Sequence, residues 1–137
     1  MSLFVDSSAW FAAVDRGDRD HARAKAVLGR REHLVTTDHV LVESWALMRV
    51  RLHRAAAGLF WKRMRAGIAQ LEFVTAADVE SAWLIREGFP DQDFSIVDLT
   101  SFATMHRLKL TRVASFDEHF AIYRYGRNRR NALEVVR

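Results

Sequence analysis

Short apolar runs alternate along the chain with stretches in which apolar residues recur at helical spacing. Leu3-Phe4-Val5 is an apolar triplet ending at Asp6 and reads as a buried strand. Residues 8–14, SAWFAAV, read as a short helix, and the polar stretch Asp15 to Asp20, with Gly17, as a loop. A helix resumes over 21–31, and Leu34-Val35-Thr36 is a second strand. Thr37 or Asp38 can cap the next helix, which runs to about Leu52. Residues 55–69 form another helix, with Phe60, Met64 and Ile68 on one face. Leu71 to Thr75 is a third strand and 76–87 a further helix. Gly88 to Gln92, which include Pro90, break the pattern. Ser95 to Leu108 is helical, Val113-Ala114-Ser115 is a fourth strand, and Leu133 to Val136 adds an edge strand.

Strands separated by helices predict an α/β fold: a mainly parallel sheet of four to five strands with helices on both faces. No Gly/Ser linker, repeat or low-complexity tract divides the chain, so residues 1–137 read as one domain. In such sheets ligands bind beyond the carboxyl ends of the strands. That rule directs attention to the residues just after Val5, Thr36, Thr75 and Ser115.

Composition narrows the class. Half of the 137 residues are hydrophobic, which excludes a disordered chain. The absence of cysteine excludes disulfides, thiolate zinc sites and a cysteine nucleophile. No apolar run approaches a membrane span, and the start, MSLFVDSSAW, has no signal-peptide pattern; a soluble, cytoplasmic protein is expected. Lys and Arg number 21 against 17 Asp and Glu, so the net charge of +4 favours an acidic partner, nucleic acid first.

Acidic residues stand where acids are not expected. Asp6 directly follows the first strand, and Asp117 follows the fourth after Phe116; the plainer reading is that Asp is common in such turns. Glu43 lies mid-helix, with His39, Val40, Ala46 and Leu47 as helical neighbours. That ridge is mostly apolar, although a boundary position paired with Arg49 or Arg51 also accounts for it. Asp98 faces Ser101, Phe102 and Met105, while Ser95-Ile96-Val97-Asp98 also reads as a capping box. Asp91 and Asp93 crowd the preceding loop.

Such carboxylates cannot share one pocket as bare charges. Two unit charges ~4 Å apart repel by about 4 kcal/mol at an effective dielectric of ~20. The cluster must take up protons or bind a cation. With oxygen ligands only, Mg²⁺ or Mn²⁺ is the expected ion. Such an ion polarises phosphoryl oxygens and lowers the pKa of a bound water. An acidic, metal-filled hole in a basic exterior suits a phosphodiester substrate.

The segments LFVDSSAWFA, TTDHVLVESWALMRVR, DQDFSIVDLTSFATMHRLKL and VASFDEHF, in that order, resemble the PIN domain, and most of all the VapC-type toxins of bacterial toxin–antitoxin pairs. The resemblance covers nearly the whole chain. It implies a three-layer α/β/α sandwich and a metal-dependent ribonuclease whose four acids are Asp6, Glu43, Asp98 and Asp117. Asp6 and Asp98 are then the first candidates for direct ligands to Mg²⁺ or Mn²⁺. Ser7 and Ser101 would orient carboxylates or water, and Asp93 matches an acid that often precedes the third motif. The same resemblance implies an RNA substrate, a VapB-like antitoxin, a homodimer, and products with 5′-phosphate and 3′-hydroxyl ends.

The six histidines form no His-x-x-x-His spacing, and only His39 and His119 lie near the acids in sequence. A basic run from Arg49 to Arg65 and the arginines of the tail are candidate RNA or antitoxin contacts. Three rival classes fit less well. A receiver-type domain needs an adjacent acidic pair that Asp6 lacks. A non-catalytic RNA-binding module explains the charge but not the misplaced acids. A metal-free ribonuclease with a His pair would leave cyclic phosphates and work in EDTA.

Overall fold

The computed structural model describes all 137 residues. Its strands are β1 (Ser2–Val5), β2 (His33–Thr37), β3 (Gln70–Glu72), β4 (Arg112–Ala114), β5 (Arg124–Tyr125), β6 (Asn131–Ala132) and β7 (Glu134–Val136). Its helices are α1 (Ser7–Val14), α2 (His21–Leu28), α3 (Asp38–Arg51), α4 (Arg54–Arg65), α5 (Ala76–Glu87), α6 (Ile96–Arg107) and α7 (Glu118–Ile122). Five strands form one sheet in the order β3-β2-β1-β4-β7, and every pairing is parallel. Parallel strands covered on both faces need apolar side chains on both, which is why Leu3, Phe4 and Val5 are all fully buried without alternation. The architecture is the expected three-layer α/β/α sandwich, with β7 as its fifth strand. β5 and β6 form a separate antiparallel ribbon in the tail.

The core is a single cluster of 26 residues that runs from Leu3 to Val136. α6 passes through its centre, and every residue from Asp98 to Met105 is buried. Aromatic rings lock that helix in place. Phe102 stacks on Tyr123 at 4.0 Å and meets Phe120 edge-on at 5.0 Å. A capping box, Ser95 with Asp98, fixes its first turn. A second box, Thr75 with Asp78, starts α5, and Asp78 accepts three hydrogen bonds of 3.0–3.2 Å from Arg107 of α6. Burial acts against the Asp78 carboxylate, but Arg107 and Thr75 more than offset it and hold its pKa below the usual range. No helix is long and apolar enough to cross a membrane.

Boundaries differ from the pattern where backbone geometry intervenes. The helix expected over 55–69 stops at Arg65, because Gly67 takes a φ of +90° and carries Ile68 out of register. α2 stops at Leu28, short of the expected residue 31, and Arg31 adopts a φ of +60°. β3 is shorter than 71–75 because Thr75 serves as the cap of α5. β4 ends at Ala114, and the side chain of Ser115 turns toward Asp6 instead.

A candidate metal centre at the carboxyl ends of the strands

Helix starts deliver three of the four acids. Asp6 leaves β1 and becomes the N-cap of α1; only 2% of it is exposed. Its Oδ2 accepts from Ser8 Oγ at 2.8 Å and Ser115 Oγ at 3.0 Å, and more distantly from the Ser8 amide at 3.4 Å. Asp98 is the third residue of α6, where its Oδ2 accepts from the Ser95 amide at 3.0 Å and from His119 Nδ1 at 2.7 Å. Asp117 caps α7, its Oδ1 accepting from the His119 amide at 2.9 Å. A strand end followed by a helix start points backbone amides and cap side chains at the same spot. Glu43 comes instead from the body of α3, half-buried, and Ser7 Oγ donates to its Oε1.

Two serines bind the acids to one another. Ser115 Oγ donates to Asp6 and accepts from the Asp117 amide at 3.1 Å. Ser7 touches Glu43 and, at 3.4 Å, Asp6 Oδ1. Ligand atoms of Asp98, Asp117 and His119 all lie within 4.8 Å of one another. Asp6 and Glu43 stand outside that tight group and join it through the serines.

The electrostatics are those of a site short of positive charge. Burial pushes Asp6 up to about 6; the negative charge of Asp98 adds to this, against the hydrogen bonds from Ser8 and Ser115. Burial works against the His119 imidazolium, but its bond to Asp98 and the fields of Asp117, Asp98 and Asp93 outweigh it and hold its pKa above the ordinary value. No lysine or arginine pairs with Asp6, Glu43, Asp98 or Asp117, whereas the buried acids elsewhere have one: Asp78 has Arg107, and Asp20 has Arg23. Carboxylate oxygens that accept no hydrogen bond include Oδ1 of Asp98, Oδ2 of Asp117 and, apart from the long Ser7 contact, Oδ1 of Asp6. This donor set fits a hard divalent cation.

Asp6, Glu43, Asp98 and Asp117 thus come together at the end of the sheet where the strand-order rule puts a site. Ser7 lies among them. Ser101 Oγ is fully buried and has no hydrogen-bond partner, so in this structure it orients no carboxylate. Asp93 is exposed and acts on the cluster only through its field on His119. His39 bonds Thr100 Oγ1 at 3.1 Å rather than an acid. His119, expected only near the acids, lies against Asp98, and Ser8 and Ser115 join the site without having been expected there. The doublet after Asp6 and the serine two before Asp117 were the available signals.

A family model described as the PIN domain matches residues 3–125. A protein of Mycobacterium tuberculosis named "23S rRNA-specific endonuclease VapC20" is 36% identical over 121 residues, 87% of this chain and 92% of that one. The crystal structure of VapC20, described as a sarcin-ricin loop cleaving toxin, superposes with a TM-score of 0.83 at 32% identity, covering 87% of this chain and 92% of that one. The structure of VapBC2 from Rickettsia felis bound to a promoter DNA fragment shares the fold, with a TM-score of 0.66 at 10% identity over 88% of this chain and 92% of that one.

Proposed function

The chain belongs to the PIN domain family, and from that premise we propose that it is a metal-dependent endoribonuclease acting as the toxin of a toxin–antitoxin pair. The observation that carries the metal and the site is the unneutralised acid cluster. Asp6 and Asp98 are buried without a lysine or arginine beside them, in a chain that pairs its other buried acids with arginine. Asp98, Asp117, Asp6 and Glu43 would hold Mg²⁺ or Mn²⁺. Once bound, the ion supplies a Lewis acid and a water of lowered pKa at the phosphodiester.

The chain's own groups do the positioning. Ser8 and Ser115 occupy Asp6 Oδ2, and the Ser95 amide and His119 occupy Asp98 Oδ2, so each carboxylate is fixed by one oxygen and has the other left for a cation. His119 also balances the negative charge of Asp98 when no cation is bound. Ser7 links Glu43 to Asp6 through its one hydroxyl. The expected reaction is hydrolysis that leaves 5′-phosphate and 3′-hydroxyl ends.

RNA is the substrate, and VapC20's description as a 23S rRNA-specific endonuclease makes structured ribosomal RNA the first one to assay. A VapB-like antitoxin is the partner that a toxin of this kind requires, and the working compartment is the cytoplasm. The exposed side chains of Val79, Trp83 and Leu84 on α5 support a homodimer. The test is an RNA cleavage assay with end mapping. Cleavage should stop in EDTA, return with Mn²⁺ or Mg²⁺, and be absent from Asp98→Ala. Cleavage that persists in EDTA, or cyclic phosphate ends, would overturn the metal reading. RNA binding without any cleavage would favour a non-catalytic module of the same fold.

A further inference from the structure

A concavity adjoins the acid cluster. It is a pocket of about 390 Å³ between the start of α1, the 15–20 loop, the end of α3 and Phe116. Phe11, Leu47 and Phe116 form its apolar walls. Two further lining residues, Ser7 and Ser8, are the hydroxyls that hold Glu43 and Asp6. Whatever fills this pocket therefore lies one side chain away from the candidate metal centre.

Each ring in the wall carries a guanidinium. Arg51 lies 5.8 Å from the centre of Phe11, and Arg23 lies 5.4 Å from the centre of Phe116. The two arginines are not equivalent. Arg23 is bound to Asp20, and Arg19 also stands 3.7 Å from it, so that carboxylate is neutralised within the loop. Asp18 accepts from the Asp20 amide at 2.7 Å and has no cationic partner of its own, so with Arg19, Arg23 and Asp20 the loop side is close to neutral. Arg51, exposed in the last turn of α3, forms no ion pair. The pocket therefore offers aromatic and aliphatic walls on one hand and one uncommitted guanidinium on the other.

We infer that this pocket is the subsite for the nucleotide next to the scissile phosphate, with its base against the Phe11–Phe116 wall and its phosphate on Arg51. The inference rests on the nuclease reading and adds the contacts that choose the flanking nucleotide. Bases stack on aromatic rings whatever their sequence, and a planar guanidinium matches a phosphate. The volume lies within the ~300–1,000 Å³ of small-ligand sites. Ser7 and Ser8 line this pocket and also hold Glu43 and Asp6, so a strand with its phosphate at the acids has this pocket beside it for the adjoining nucleotide.

The experiment pairs two readouts on purified protein. The first is binding of a short labelled RNA in EDTA, where nothing is cleaved. The second is steady-state cleavage of the same RNA with Mn²⁺, with the base beside the cut varied. Arg51→Ala should weaken binding and raise KM by roughly tenfold with kcat nearly unchanged, and should lower the salt dependence by about one charge. Arg51→Lys should recover part of the affinity. Phe116→Leu should weaken binding by roughly fivefold or more and flatten the preference for the neighbouring base. Arg30→Ala, at the opposite end of the sheet, should match the unmodified protein. Unchanged binding, KM and base preference in both Arg51→Ala and Phe116→Leu would overturn the inference, as would a loss confined to capture of an antitoxin. If the unmodified protein cleaves no RNA with Mn²⁺, the nuclease reading fails by itself, and the EDTA binding data still report on the pocket.

Discussion

The Nδ1 of His119 lies 2.7 Å from Oδ2 of Asp98, and the same ring stands 3.6 Å from Asp117. An imidazolium there takes the position of a counter-ion among acids that have no lysine or arginine. Its raised pKa fixes a sign. Stability from this pair is complete below the ordinary imidazole value and is lost as pH rises through the higher folded value. His119→Ala should therefore destabilise the metal-free protein more near pH 6 than near pH 9, where the neutral ring keeps its hydrogen bond but not its charge. Urea unfolding at the two pH values measures this, and an equal loss at both would show that the charge of the ring contributes nothing.

Asp6 has the opposite character, because burial makes its charge costly. A carboxylate raised to about 6 takes up its proton more readily folded than unfolded, so folding loses stability as pH rises between ~4 and ~6. Asp6→Asn should abolish cleavage yet stabilise the metal-free protein at pH 7.5, by up to about 3 kcal/mol. The pH dependence of unfolding in EDTA should flatten over the same window. A variant that is less stable at pH 7.5 would show that the charge of Asp6 is already compensated.

Mn²⁺ should reverse that cost. Added ion should raise the thermal midpoint of the unmodified protein at pH 7.5 far more than at pH 5, where Asp6 is largely protonated. Asp98→Asn should show little shift at either pH. Differential scanning fluorimetry with and without EDTA reads both.

Ser115 holds Asp6 and the Asp117 amide together, and neither contact is replaced in Ser115→Ala. The variant should lose about 1–2 kcal/mol of stability, since a buried carboxylate gives up one donor and an amide its acceptor. Cleavage should fall by an order of magnitude or more as Asp6 drifts. Ser115→Thr, which keeps the hydroxyl, should recover most of the rate.

Arg107 tests the structural half of the molecule. It binds the buried Asp78 from α6 and is about a third exposed, so screening reduces what the pair contributes. Arg107→Ala should cost about 2 kcal/mol in urea unfolding and leave the cleavage rate per folded molecule unchanged.

Sequence was informative where local chemistry and long-range placement agree. Leu3-Phe4-Val5 followed by Asp6 already states a buried strand that ends in an acid. Glu43 stood out because its helical neighbours are apolar. For Asp98, two readings competed, and the structure uses both: the carboxylate completes a capping box and also meets His119. The parts that escaped depend on distant pairs. His119 reaches Asp98 across 21 residues, and Ser115 reaches Asp6 across 109. No periodicity carries such contacts. α7 has five residues and the β5–β6 strands two each, too few for a repeating pattern to register.

β7 has a practical corollary for anyone handling this protein. The family model ends at residue 125, yet Val135 and Val136 are zipped to Val113 and Ala114, and the Val136 carbonyl receives the amide of Ser115. The last few residues thus brace the strand from which Ser115 and Asp117 of the candidate metal centre hang. Trimming to the matched segment, or crowding that terminus with a purification tag, would slacken the centre without altering any acid.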